Sequence, residues 1–263
     1  MEVSYLEKIL ESHRLESQND NRSFELLYDK AVDAEPTRGF VDSLKSSQKG
    51  EIAVIAEIKK KSPSKGELAS NLDPASLANE YEKGGAAAIS VLTDENNFAG
   101  SKEDLIAAAK EVKLPILRKD FTVDLKDICD TRIMGADAVL LIVSALDQVE
   151  LKDFLDLSIE LDLDPLVEVH DEKELERALA VDAKLIGVNQ RDLKSFEVDP
   201  LKAINLISEI PANVTSVAES GIDSARSASA LREAGYAALL VGELLVKSSD
   251  RAKTLSELRN IPV

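Results

Sequence analysis

Cysteine, histidine and tryptophan are scarce in this sequence: one Cys, two His and no Trp in 263 residues. The lone thiol, Cys129, cannot close an intramolecular disulfide, and no Cys/His cluster has the spacing of a metal site. A reducing cytoplasm is the compartment this favours. Basic residues are in deficit as well, with 32 Lys and Arg against 49 Asp and Glu, a formal charge of −17. Such a surface repels nucleic-acid phosphates and anionic membranes, so neither is an expected partner. An anionic ligand would therefore need a local positive site. The longest apolar run, "AVLLIVSAL" at 138–146, is far shorter than the roughly 20 residues a membrane span requires. The N-terminal stretch carries charges every few positions and no apolar core, so it is not expected to be a signal peptide. No Gly/Ser/Pro-rich linker divides the chain.

What is present is a repeat of pattern. From residue 51 onward, short aliphatic runs alternate with longer charged, Ala/Leu-rich segments of helical period. The pattern predicts strands at "IAVIAEI" (52–58), "AAISVLT" (from 86 or 87), "LPILRK" (114–119) and "DAVLLIV" (137–143). Four more follow at "DPLVEV" (164–169), "KLIGVN" (184–189), "VTSVAE" (214–219) and "AALLVG" (237–242). Asp73-Pro74 and Asp171-Glu172 read as helix starts, and Gly84 and Gly235 as helix stops. Strand starts lie 20 to 34 residues apart, each interval close to one βα unit. Eight units predict an α/β fold, a closed (β/α)8 TIM barrel, over residues 51–263. An open doubly wound sheet is the alternative. It usually has fewer strands and a G-x-G-x-x-G turn after the first, where this chain has "KKKSPSKG". Residues 1–50 are expected to be a helical extension packed on the barrel, with Tyr5, Leu6, Ile9 and Leu10 on one face and Phe40, Val41 and Leu44 on another.

In such a barrel the site lies at the C-terminal ends of the strands, where every second side chain points inward. On the first strand Ala53, Ile55, Glu57 and Lys59 share a face, so a carboxylate and an ammonium both reach the barrel mouth. The third strand ends at Lys119, the fifth at Glu168, the sixth at Asn189 followed by Arg191, and the seventh at Glu219 followed by Ser220. Any one of these could be a solvated strand end or a structural ion pair. Five strands ending in inward polar groups are costly to bury without a role, and together they read as one polar cup. Gly221 and Gly242 follow the seventh and eighth strands, where backbone N–H groups hold phosphate in these barrels. Lysines among glutamates suit general acid–base chemistry on a small phosphorylated molecule, with no metal required. His170 reads as a loop residue supporting the site, and His13 as a surface or packing residue.

The ordered strings "IAEIKKKSPSKG", "ISVLTDENNFAGS", "LPILRKDF", "GADAVLLI", "LVEVH", "GVNQRDL", "AESGI" and "LVGE" resemble the indole-3-glycerol phosphate synthase family over nearly the whole chain. The resemblance implies conversion of 1-(2-carboxyphenylamino)-1-deoxyribulose 5-phosphate to indole-3-glycerol phosphate, with loss of CO₂ and water and without cofactor, in tryptophan biosynthesis. It implies a catalytic set of Lys119, Lys59, Glu168, Glu57, Asn189 and Ser220. Ser62, Arg191 and Glu219 would contact substrate, and Ser220, Gly221, Gly242 and the backbone of Glu243 would hold phosphate. Lys119 resembles the acid that protonates the ketose oxygen, and Lys59 the lysine that pairs with the aryl carboxylate; which lysine acts in each step stays open. Two positions depart from the family pattern. Gln190 stands where asparagine is expected, turned away from the cup, and Val246 where methionine is expected.

Two other functions compete. A phosphate-binding isomerase barrel commonly uses an Asp/Cys pair, but Cys129 falls in a helix-like stretch. A barrel that only binds phosphosugars would be expected to lose inward charges, yet Glu57, Lys59, Lys119 and Glu168 are all present. The expected partner is a small phosphorylated substrate, for a monomer or weak homo-oligomer. Association with neighbouring tryptophan-pathway enzymes is left open.

Overall fold

Eight parallel strands close on themselves in the computed structural model, which describes residues 4–46, 51–63, 66–69, 72–192 and 195–259. Ser64 and Lys65 of the lysine-rich stretch, Leu193 of "NQRDL" and the expected boundary at residue 50 lie outside the described residues. The strands are β1 (Ala53–Ile58), β2 (Ala88–Leu92), β3 (Ile116–Lys119) and β4 (Ala138–Ile142). They continue with β5 (Asp164–Val169), β6 (Leu185–Asn189), β7 (Thr215–Glu219) and β8 (Ala238–Val241). Each pairs with its sequence neighbour, and β8 returns to β1 with Ala53 opposite Ala238, leaving the barrel no free edge. β1 is buried on both faces, which accounts for its nearly unbroken apolar run. The strand ends differ from expectation by one or two residues where pairing stops.

Three helices precede the barrel: α1 (Tyr5–Gln18), α2 (Phe24–Val32) and α3 (Phe40–Lys45). The first and third were expected; α2 was not. It buries only a short face, Leu27 and Ala31, and leaves Phe24 and Leu26 exposed, and Ser23 caps it by accepting from the Leu26 N–H. Between β1 and β4 come α4 (Pro74–Lys83), a single turn α5 (Glu95–Phe98), α6 (Lys102–Glu111) and α7 (Leu125–Ile133). Next are α8 (Gln148–Glu160), α9 (Glu172–Ala180), α10 (Pro200–Leu206), α11 (Ala225–Ala234), the short α12 (Glu243–Lys247) and α13 (Arg251–Arg259). The anticipated caps are in place, with Asp73 and Asp171 accepting from Ser76 and Glu174 N–H groups and Gly235 closing α11 at φ 113°. A two-residue hairpin, Lys61–Ser62 with Gly66–Glu67, follows β1 and was not anticipated. No helix among the described residues is long and apolar enough to cross a membrane.

The extension reaches both ends of the barrel. At the C-terminal rim, α1 ties to the loops after β2, β3 and β4: Tyr5 donates to Asn97 at 2.9 Å, Ser17 to Asp124 at 2.6 Å, and Arg14 to Glu150 at 2.9 Å. At the opposite end, Asp137 sits just before β4 with 1% exposure. It accepts from the Ile116 and Arg38 N–H groups at 2.6 and 2.7 Å and pairs with the Arg38 guanidinium at 2.6 Å. One buried carboxylate thus joins β3, β4 and the segment leading into α3. Removing it would strand a cation and two N–H groups. Asp137→Ala is expected to lose about 3–5 kcal/mol of stability, read as a lowered urea midpoint with an intact circular-dichroism spectrum.

Candidate active site

The C-terminal ends of the strands open into a cavity of about 1320 Å³. Its floor is aliphatic, with Leu92, Leu140 and Leu240 contributed by β2, β4 and β8. Above it, period-two alternation brings Glu57, Lys59, Lys119, Glu168, Asn189 and Glu219 to the cavity wall, as the sequence implied. Ser62, Arg191, Ser220, Gly221, Gly242 and Glu243 line it too. Lys60, one residue from Lys59, points outward and binds Asp104 on α6 at 2.6 and 2.8 Å. The lysine-rich stretch is therefore split by alternation between cup and scaffold.

Lys119 is the hub. Its Nζ lies 3.1 Å from Glu168 Oε2 and 3.6 Å from Glu219 Oε2. Burial alone would lower its pKa, but Glu168, Glu219 and Glu57 outweigh burial and raise it. Glu168 is also buried, which favours its neutral form. The Lys119 ammonium, His170 and the Asn189 amide outweigh that and hold it below the ordinary carboxylate range. Asn189 Nδ2 donates to Glu168 Oε1 at 3.0 Å, and His170 Nε2 stands 3.3 Å from the same oxygen. Glu219 goes the other way. Burial first, then the facing Glu168 carboxylate, raise its pKa, and Lys119 only partly offsets them. Its Oε1 is buried without a hydrogen-bond partner among the described residues, in space left by Gly187. A Cβ on Gly187 would stand 2.0 Å from that oxygen, so this strand position admits only glycine while Glu219 stays in place. Around Lys119 the cup thus sets one ammonium against one firm carboxylate and one carboxyl group that keeps its proton more readily than usual.

A second ion pair, Lys59 with Glu57, occupies the β1 side of the mouth. Gly242 leads into α12 directly beside it: a Cβ there would lie 2.3 Å from Glu57 Oε1 and 3.2 Å from Lys59 Nζ. Glycine at this position allows backbone to approach the pair. Gly242 directly precedes its helix, as expected, but Gly221 does not. Ser224 caps α11, and Gly221 lies in the turn leaving β7, where Ser220 and Gly221 have φ of 63° and 70°.

Some functional neighbours were not legible in the sequence. His170 was placed near the site, but its links were not: Nδ1 lies 2.9 Å from Glu174, one helical turn along the chain. Burial opposes its charge, while Glu168 and Glu174 outweigh burial and push its pKa up to about 10. His13 is not a plain surface residue. Its Nε2 is 3.0 Å from Asp94, and Asp94 also caps α5 by accepting from the Asn97 N–H at 2.6 Å. His13, Asp94 and Asp120 are near enough to share an ion, but Asp120 already holds Arg118 at 3.0 Å, and the cluster is satisfied by protein partners. Phe98, Phe121 and Phe196 line one side of the cavity with Pro63, an apolar wall facing the ionic groups. Phe98, Phe121 and Pro63 lie within the quoted strings "ISVLTDENNFAGS", "LPILRKDF" and "IAEIKKKSPSKG", whereas Phe196 lies in none of them. Cys129 is buried in α7, not at a strand end, and so does not supply an isomerase-type pair.

With this geometry in view, comparison with known proteins is specific. The family model described as indole-3-glycerol phosphate synthase matches residues 6–258. A protein of that name from Chlorobium luteolum is 43% identical over 250 residues, covering 94% of this chain and 95% of that protein. Another from Paenarthrobacter aurescens is 47% identical over 235 residues, covering 89% and 86%. Among solved structures, thiamine phosphate pyrophosphorylase from Pyrococcus furiosus matches with a TM-score of 0.58 at 15% identity, covering 79% of this chain and 93% of that one. The N-acetylmannosamine-6-phosphate 2-epimerase from Clostridium perfringens gives 0.58 at 14%, covering 73% and 86%. At such identity these two share the barrel and nothing finer.

The raised Glu219 pKa has a sign that can be measured. Its folded form keeps a proton above the ordinary glutamate value of 4.5, where the unfolded chain has already ionised. Stability from this group is therefore full below that value and falls as pH rises until Glu219 ionises in the fold. Urea unfolding from about pH 5 to about pH 8 should show the parent losing stability relative to Glu219→Gln, by at most about 1.4 kcal/mol per pH unit. Parallel pH curves for the two proteins would place Glu219 as an ordinary carboxylate.

Proposed function

This chain belongs to the indole-3-glycerol phosphate synthase family, and from that premise we propose how its cup runs the family's reaction. The chain is a carbon–carbon lyase of tryptophan biosynthesis. The observation that carries the residue assignment is the position of Lys119, at 3.1 Å from Glu168 and 3.6 Å from Glu219 on the cavity wall. The substrate carries a phosphate, a ketose carbonyl and an aryl carboxylate, and the cavity offers a counterpart to each.

The phosphate sits at the ends of β7 and β8, against the backbone N–H groups of Gly221, Gly242 and Glu243, with Ser220 beside them. The aryl ring lies along Phe98, Phe121 and Pro63, with its carboxylate directed to Lys59 and Ser62. Arg191 and Asn189 hold the sugar hydroxyls between these ends.

Ring closure forms a bond between the aryl carbon bearing the carboxylate and the ketose carbonyl carbon. The carbonyl oxygen gains the electron pair, and Lys119 donates a proton to it, leaving a hydroxyl. Lys119 is kept protonated for this step by the carboxylates around it. The aryl carboxylate then departs as CO₂, and the electrons of the broken bond restore the aromatic ring. In the dehydration a lysine ammonium gives the departing hydroxyl the proton with which it leaves as water, while a carboxylate takes the proton from the neighbouring carbon and the electrons of that C–H bond complete the pyrrole. Glu57 and Glu168, each bonded to a lysine, are the carboxylates available for that transfer. A water-poor cup makes these charge shifts larger than they would be in solution. We place the reaction in the cytoplasm, on a monomer or weak homo-oligomer.

The chain has no tryptophan, so a product indole fluoresces over little background. With the carboxyphenylamino-deoxyribulose phosphate as substrate and no added metal, indole emission should grow in proportion to enzyme. Lys119→Ala is expected to fold, retain inorganic-phosphate binding and lose turnover by ~10³-fold. Near-normal turnover in that variant would remove Lys119 from the role of acid.

A further inference from the structure

Gln190 follows β6 directly and does not line the cavity, as alternation requires. It is nonetheless 2% exposed, and its side-chain amide donates to the Ser220 carbonyl at 2.7 Å. Its backbone N–H donates to the Glu219 carbonyl at 3.0 Å, and its own carbonyl accepts from the Asp199 N–H at 3.0 Å. The residue therefore grips the turn that leaves β7 from outside the cup.

That turn is an unusual piece of backbone. Ser220 has a Cβ yet lies at φ 63°, a conformation that persists only where neighbours impose it. No cis peptide occurs among the described residues, so the Ser220–Gly221 peptide is trans, and its C=O and N–H point in opposite directions. With the carbonyl held towards Gln190, the Gly221 N–H points away from Gln190. Ser220 and Gly221 line the cavity and Gln190 does not, which leaves the cup as a side that N–H can face. Val198 closes the space beside the turn, since a Cβ on Gly221 would come within 2.6 Å of its Cγ1.

We infer that Gln190 is a positioning residue for the substrate phosphate, locking the Ser220–Gly221 peptide so that the Gly221 N–H faces the anion. The inference rests on the phosphate placement proposed above. Without the amide, the peptide is free to rotate and present its carbonyl, an acceptor, where the anion needs a donor. The residue that looked inert because it faces away acts through the peptide it holds.

Gln190→Leu keeps most of the side-chain volume and removes the donor. Inorganic phosphate and 2-aminobenzoate serve as competing inhibitors, probing the two ends of the cavity. Phosphate inhibition is expected to weaken about ten-fold with a similar rise in KM, while kcat changes little and 2-aminobenzoate inhibition stays as in the parent. Gln190→Glu adds a readout that a merely structural role would not move. While protonated its carboxyl donates to the Ser220 carbonyl, so phosphate affinity relative to the parent is retained at low pH and lost as the carboxyl ionises. In the parent, the Gly221 amide resonance should shift on titration with inorganic phosphate. No shift there would overturn the phosphate placement and this inference with it. A shift combined with unchanged phosphate inhibition in Gln190→Leu would overturn this inference alone. An equal loss of phosphate binding, 2-aminobenzoate binding and kcat, with a lowered unfolding midpoint, would also overturn it, since it would mark Gln190 as a fold residue only.

Discussion

Two carboxyl groups compete for one ammonium inside this barrel, and the rest of the cup is arranged around that imbalance. Glu168 and Glu219 both reach Lys119, and both are almost fully buried. Placing two ionised carboxylates against one cation in a poorly solvated space is unfavourable, so the surroundings break the symmetry between them. Asn189 and His170 are spent on Glu168, which fixes the charge there. Glu219 receives no such help at Oε1 and is pressed into the hollow beside Gly187. The result is a graded set of proton affinities built from chemically similar side chains. That grading is what the proposed acid–base roles draw on.

The Lys59–Glu57 pair is spatially separate but not independent. β8 lies next to β1 because the barrel closes there, and Gly242 brings the start of α12 against Glu57. In the proposed placement, the two ends of the substrate would be held by neighbouring pieces of the same closed sheet. Displacement of α12 would be felt first at Glu57, the nearest side-chain oxygen. Closure of the barrel thus sets the spacing between the anion-binding turns and the proton-transfer groups.

The strands and their inward faces could be read from the sequence because both depend on a local rule, the two-residue period of β structure. Lys119, Glu168, Asn189 and Glu219 were found by counting along single strands. The helix caps were legible for the same reason, since Asp73 and Asp171 bond to groups three residues away. What escaped was contact made at long range. His13 meets Asp94 across 81 positions, and Gln190 meets Ser220 across 30. No pattern within either segment announces its partner. α2 escaped for another reason: its packed face, Leu27 and Ala31 with Tyr28 beside them, is short and flanked by the exposed Phe24, Leu26 and Val32. Gly221 was assigned correctly to the end of β7 but not to its geometry, because a glycine after a strand does not reveal whether a helix begins at once or three residues later.

The grip of Asp137 on Arg38 bears on the order in which the molecule assembles. The two are 99 positions apart, and the N–H of Ile116 that completes the arrangement belongs to a strand made much later than the helices it helps to anchor. On a ribosome working from the N-terminus, α1, α2 and α3 emerge with no surface to dock on. Isolated short helices are marginal in water, so their contacts with the barrel become available only once β3 and β4 have been synthesised. Those contacts join the rim and the base of the barrel, fastening the cylinder from outside.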